Sequence, residues 1–231
     1  MSLAALAKSL KPSMQFDRHP LSKQFSEKFP IITLDLSLVA DKIIHEDQEF
    51  SLNENLARQI RELGDAQQKK TNVKASMTDW FMQDSSKGFQ WVCNRAIELA
   101  TENNPQNVDM IPYDCWGAIY REGDDTVMLN HWPHLWSFVY YVNCPEGSAP
   151  LLFDRCIHPG KAIERVVPKT GLMVMFPGWV HHSVPPHTGE ERIIVAGNLT
   201  INPFSHIKTL ENRGLGQWRS VYGSRGNVKR L

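Results

Sequence analysis

From Tyr113 onward the spacing of apolar residues changes, and this change limits the fold more than any other feature of the chain. Upstream, apolar residues recur every three or four positions. Downstream they gather into short runs rich in β-branched and aromatic side chains, broken by turn formers such as Glu122-Gly123-Asp124-Asp125 and Pro145-Glu146-Gly147. Such runs predict strands near 113–121, 126–131, 135–143, 150–153, 161–167, 171–176, 181–185 and 191–200. Eight short strands behind a helical N-terminal third predict a mainly β protein with some α: a two-sheet jelly roll braced by N-terminal helices.

The helical third supplies support and no chemistry. Leu52, Leu56, Ile60 and Leu63 share one helical face, Ser51 can cap that helix with Glu54 completing a capping box, and Gly64 can stop it. A second amphipathic helix is predicted over Gly88 to Thr101, with Phe89, Val92, Ile97 and Leu99 inward, and the stretch from Ser37 to Ile44 fits a short helix. Pro12, Pro20 and Pro30 exclude a long helix from the first thirty residues. The expected organisation is an arm over 1–35, helical support over 36–110, a jelly-roll core over 111–205 and a basic, Gly-rich tail over 206–231.

Charge narrows the function classes. Lys plus Arg equals Asp plus Glu at 25 each, so no global basic field favours nucleic acid, and no nucleic-acid partner is expected. Cys93, Cys115, Cys144 and Cys156 form no CxxC pair, which suits reduced core thiols better than a disulfide framework or a zinc ribbon. Met1 to Lys11 has no signal-peptide pattern, and no uncharged apolar run reaches the roughly 18 residues of a membrane span. A cytoplasmic protein is the expectation, in the host cytoplasm if the source is viral.

Two segments carry residues with chemistry. His131-Trp132-Pro133-His134 leads into one apolar run, and Pro177-Gly178-Trp179-Val180-His181-His182 precedes Arg192 at the head of another. His131 and His182 lie 51 residues apart, a span that antiparallel strands can close onto a common metal. A non-haem Fe(II) centre takes two histidines and a carboxylate on one face and leaves the other face open. Arg192 can grip a carboxylate with two parallel hydrogen bonds, and Tyr120 can add a hydroxyl. His181, on the other strand face from His182, is expected to point outward, and His158 and His187 to be structural or exposed. Trp132, Trp136 and Trp179 read as core or pocket walls.

These residues resemble the 2-oxoglutarate and Fe(II)-dependent oxygenases, in a prolyl-hydroxylase-like branch that includes many marine bacteriophage proteins. The matching pieces are Tyr120-x-x-Gly123-Asp124, His131, Ser137-Phe-Val-Tyr-Tyr-Val, Pro150-Leu-Leu-Phe153, the run from Pro168 through Phe176-Pro177-x-Trp179-x-x-His182-x-Val184 to Pro186, and Arg192-Ile with Asn198. The resemblance implies a double-stranded β-helix of the cupin type, Fe(II) and 2-oxoglutarate as cofactors, O₂ as co-reactant, and hydroxylation of a protein side chain or small molecule with release of succinate. It makes His131 and His182 metal ligands, with Arg192 and Tyr120 on the co-substrate.

One position departs from the branch. Its usual His-x-His or His-x-acid pair places His131 second, and Leu129 then occupies the first place. His134, brought round by Pro133, is one candidate for the third ligand, and Asp124, Asp125 or Asp154 is another. The remaining readings are a halide or extra water at the vacated position, a three-histidine cupin enzyme that needs no 2-oxoglutarate, and a metal-free jelly-roll binding module.

Overall fold

The computed structural model describes residues 29–40, 43–45, 48–64, 71–104, 108–155 and 158–203. The expected C-terminal tail, Cys156 and most of the N-terminal arm lie outside these residues. Thirteen strands and three α-helices are present among them: β1 (Ile32–Asp35), α1 (Ser37–Ala40), β2 (Ile43–His45), β3 (Gln48–Phe50), α2 (Leu52–Gly64), β4 (Val73–Lys74), β5 (Ser76–Met77), α3 (Lys87–Glu102), β6 (Met110–Tyr120), β7 (Asp125–Leu129), β8 (Trp136–Asn143), β9 (Leu151–Arg155), β10 (His158–Val166), β11 (Leu172–Pro177), β12 (His182–Val184) and β13 (Arg192–Ile201). A short 3₁₀ turn spans Met82–Asp84.

The strands form a six-stranded sheet, ordered β1-β11-β8-β13-β6-β5, and a five-stranded sheet, ordered β10-β9-β12-β7-β4. Every pairing in the two sheets is antiparallel, and the strand order crosses between them as a jelly roll requires. The mainly β prediction therefore holds, and the eight predicted strands appear within a few residues of their expected bounds. Five short strands, β1 to β5, are additional, with β5 and β4 each ending one of the two sheets. β1 pairs with β11 at the end of the predicted arm, and β2 pairs with β3 where a helix was expected to continue through Ile44.

Both faces of the larger sheet are buried, by different partners. Cys115, Ile119, Phe138, Tyr140, Met173, Met175, Ile193, Val195 and Leu199 pack against Leu52, Leu56 and Ile60 of α2 and Phe89, Val92 and Ala96 of α3. Their strand neighbours Trp116, Ala118, Tyr120, Val139, Tyr141, Val174, Phe176 and Ile194 face the smaller sheet, with Phe153 and Val184 opposite. This explains why these strands read as continuous apolar runs with little alternation.

Local chemistry sets the helices against that face. Ser51 accepts a hydrogen bond on Oγ from the Glu54 N–H at 3.3 Å, capping α2 as predicted. α2 approaches the sheet over Gly117, where a Cβ would stand 2.5 Å from Ile60 Cγ1. Any larger residue there would push the helix away. Cys93 and Cys115 are buried in this layer, while Cys144 is partly exposed just past the end of β8.

Candidate active site

The space between the sheets holds a narrow cavity with mostly apolar walls. Its walls include His131, His182, Leu129, Arg192, Tyr120, Tyr141 and Thr126. The two histidines predicted to converge do so: their ring centroids lie 5.0 Å apart.

Each histidine is positioned by backbone. His182 sits on β12, between Leu129 on β7 and Phe153 on β9. The His131 turn is tied to the Pro177-Gly178-Trp179 turn by two bonds: the His131 N–H donates to Gly178 O at 2.6 Å, and the Gly178 N–H to Leu135 O at 3.0 Å. Gly178 is obligatory for this contact, since a Cβ would stand 2.3 Å from His134 O. The sequence motif Pro-Gly-Trp therefore does more than turn the chain; it locks one histidine segment onto the other.

Burial controls the charge of both rings. It lowers the His182 pKa from 6.5 to about 4, partly opposed by a hydrogen bond with Val180 O at 3.0 Å. Because a carbonyl can only accept, Nδ1 carries the proton, and Nε2 is the bare nitrogen of a ring that lines the cavity. Burial, with His182 and His134 nearby, lowers His131 to about 3. Two neutral imidazoles, one oriented by a backbone carbonyl, suit a divalent metal.

The third donor does not appear where the sequence suggested. Among the described residues, no three of His, Cys, Asp and Glu are grouped to hold a metal. His134 packs its ring on Tyr113, centroids 4.5 Å apart, and lines an outer groove instead of the cavity. Asp124 accepts the Arg121 N–H at 2.8 Å within its turn, and Asp125 pairs with Lys74 at 3.0 Å. Asp154 is buried beside Ser183 and Pro186 in a separate depression, on the opposite strand face from Phe153. Leu129 lines the cavity directly across the ladder from His182.

At another part of the wall, Arg192 is 1% exposed, and no described carboxylate lies within ion-pair distance of it. Its Nη1 donates to Ala149 O at 2.7 Å, its Nε has no partner, and its guanidinium carbon lies 4.1 Å over the Tyr120 ring. A guanidinium stays protonated, and burying it without a counter-ion is costly, so this arrangement calls for an anion.

Tyr120 is less available than the sequence suggested. Its hydroxyl is bonded to Thr126 Oγ1 at 2.6 Å, and its ring supports Arg192 from below. Burial pushes the phenol up, opposed by Arg192. Tyr141 is the residue that sequence reasoning missed. Buried, lining the same cavity, and without a hydrogen-bond partner among the described residues, its hydroxyl can serve a ligand. Burial also pushes this phenol well above its usual range, with Arg192 opposing, so it remains a donor. The signal was in Ser137-Phe-Val-Tyr-Tyr-Val, where only the inward parity of Tyr141 singles it out from Tyr140.

Outside the cavity, a groove is lined by Trp80, Trp116, Asn130, His131, Trp132 and His134 among others. Trp132 is 73% exposed, a groove wall and not a core residue. Trp179 is half-buried edge-on to Phe29, and Trp136 packs partly buried on the helix-side core. Asn130 meets His181 Nε2 at 3.0 Å, and His187 is fully buried with its Nε2 donating to Glu190 O at 2.7 Å. The side chain of His158 lies outside the described set.

A double-stranded β-helix with two inward imidazoles and a buried arginine defines the class. Residues 114–198, which hold most of the strand core, match the family model described as "Putative 2OG-Fe(II) oxygenase". That match supports a 2-oxoglutarate-dependent dioxygenase as the class, with Fe(II) and 2-oxoglutarate as its cofactors. No curated protein matches the sequence. Similar solved structures include a viral collagen prolyl hydroxylase from Paramecium bursaria Chlorella virus-1 in its 2OG complex, at 16% identity and TM-score 0.54, covering 73% of this chain and 94% of that one. A Pseudomonas putida prolyl-4-hydroxylase shows 19% identity and TM-score 0.54, covering 87% and 100%. The alpha-ketoglutarate-dependent epimerase SnoN from nogalamycin biosynthesis shows 11% identity and TM-score 0.57, covering 87% of each chain. At these identities the likeness is one of fold. Among the described residues, no helix is long and apolar enough to cross a membrane.

Proposed function

We propose that this chain hydroxylates a C–H bond of a substrate admitted through the outer groove, with conversion of 2-oxoglutarate to succinate. The observation that carries this reading is the buried, unpaired Arg192 in the same cavity as two neutral imidazoles. In this reading the far carboxylate of 2-oxoglutarate accepts hydrogen bonds from Arg192 and from the Tyr141 hydroxyl, while Tyr120, held by Thr126, keeps the guanidinium in place. The oxo-acid end then extends toward His131 and His182, which hold the metal. When bound, Fe(II) supplies the oxygen chemistry that couples decarboxylation to substrate oxidation. The chain's own residues bind, orient and keep water out, with Phe176 and Trp116 as apolar walls beside the imidazoles.

The substrate reading is broader. The groove offers aromatic faces at Trp80, Trp116 and Trp132 and amide groups at Asn130 and Asn72, which suit a peptide segment or a small metabolite with an apolar body. Neighbours of the same fold include both hydroxylases and an epimerase, so the fold by itself does not select the outcome.

A metal-free binding module is the second reading, favoured by the absence of a three-donor cluster among the described residues. Anaerobic addition of Fe(II) and 2-oxoglutarate separates the two. The enzyme reading expects a weak visible charge-transfer band, then succinate on admission of air. No band, no metal uptake and no succinate would leave the binding module.

A further inference from the structure

Among the described residues, no third His, Cys, Asp or Glu is grouped with the two imidazoles to hold a metal. His182 has two ladder partners on its own strand face, Leu129 and Phe153, and neither carries a lone pair. Phe176 lies 4.7 Å from the His182 ring, and Trp116 lies 6.2 Å from the His131 ring. Ser137 lines the cavity, but its hydroxyl already donates to Asn198 Oδ1 at 2.7 Å. Leu129 stands two residues before His131 and directly opposite His182, on the wall shared by the cavity and the outer groove. A donor at position 129 would complete a three-sided set, and leucine has none to offer.

We infer that the chain holds its metal through His131 and His182 alone, that Leu129 leaves the third protein position vacant, and that 2-oxoglutarate completes the binding set. The inference rests on the metal and co-substrate reading above. Two neutral imidazoles cancel none of a dication's charge in a largely apolar cavity, so the metal is poorly compensated until an anion arrives. A 2-oxo acid brings both negative charge and oxygen donors, and Arg192 secures its far end. Metal and co-substrate therefore bind with strong positive coupling, and by linkage each tightens the other by the same factor. A carboxylate or imidazole at position 129 would supply what the co-substrate now supplies and would weaken the coupling.

Mn(II), which stays divalent in air and whose free ion is read by electron paramagnetic resonance, is the probe. The full chain is titrated with Mn(II), with and without saturating 2-oxoglutarate, alongside Leu129→Asp, Leu129→His and Leu129→Ala. The expected result is weak binding by the wild type alone and binding at least about tenfold tighter with 2-oxoglutarate, within the usual range of coupling. Leu129→Asp and Leu129→His should tighten co-substrate-free binding by about tenfold or more and shrink the coupling factor, while Leu129→Ala leaves both near wild type. Leu129→His carries no buried charge, so it keeps the test decisive if the aspartate variant fails to fold by circular dichroism. Tight wild-type binding without 2-oxoglutarate, unchanged by any substitution, would overturn the inference and leave the oxygenase reading standing. No Mn(II) binding by the wild type or any folded variant, with 2-oxoglutarate still bound, would overturn both.

Discussion

The two faces of the six-stranded sheet are built from the same strands and do opposite work. On the helix side, residues such as Phe138, Tyr140, Met173, Ile193 and Val195 meet α2 and α3 in a continuous apolar layer. On the cavity side, one position along in each strand, stand Ser137, Tyr141, Arg192 and Tyr120, with polar atoms that the fold leaves in part for a ligand. The contrast shows where stability and function are separable. Changes on the first face should cost folding free energy, and changes on the second should cost binding.

The largest effect is expected on the helix side. Phe89→Ala should lower unfolding free energy by about 3–5 kcal/mol in chemical denaturation, with 2-oxoglutarate affinity unchanged in the molecules that remain folded. Next comes the reverse case on the cavity side. Arg192→Met should weaken 2-oxoglutarate binding by about a hundredfold, close to 3 kcal/mol by calorimetry, and leave the thermal midpoint equal or higher, because a buried unpaired charge is removed. A large drop in midpoint instead would show that Arg192 is structural, and the comparison of faces would fail.

Smaller changes sharpen the comparison within the cavity. Tyr141→Phe should reduce 2-oxoglutarate affinity about fivefold with no loss of stability, since its hydroxyl has no described protein partner. Tyr120→Phe should instead cost about 1 kcal/mol of stability through the lost Thr126 bond. If the two outcomes are exchanged, the assignment of Tyr141 to the ligand is wrong.

An effect of a different kind concerns pH in the metal-free protein. His131 and His182 have folded pKa values of about 3 and about 4, below the ordinary 6.5. Between those limits the unfolded chain binds protons that the folded chain does not, so stability is flat above about pH 7 and falls as pH drops. Each ring contributes up to about 2 kcal/mol of loss by pH 5. Urea midpoints at pH 7.5 and 5 check this, and the double His131→Gln/His182→Gln variant should be less sensitive.

Much of the architecture was legible because strand and helix periods are written locally. The Ser51 cap, the α3 face, the α2 face except for the exposed Leu63, and the order of β6 to β13 follow from spacing and turn residues that need no partner to be recognised. What was hidden depends on partners far away in sequence. Ile32–Asp35 is too short to announce itself as a strand, and it exists by pairing with Leu172–Met175. The hairpin of Ile43–His45 with Gln48–Phe50 likewise replaces the end of a plausible helix. At the site, Tyr141 could not be preferred over Tyr120 until cross-strand contacts showed that the Tyr120 hydroxyl was already engaged.

By itself, the sequence determined which residue types were available: two histidines at strand ends, one arginine heading a strand, and a leucine in place of a metal donor. Side-chain chemistry and period belong to the chain whatever its surroundings. Only the tertiary structure decided that His131 and His182 share a wall, that His134 turns onto Tyr113, and that Arg192 is buried without a described carboxylate beside it. Those outcomes depend on strand register and on which face each strand buries, and both are set by contacts between segments 50 or more residues apart, such as Leu129 with His182 and Tyr120 with Arg192.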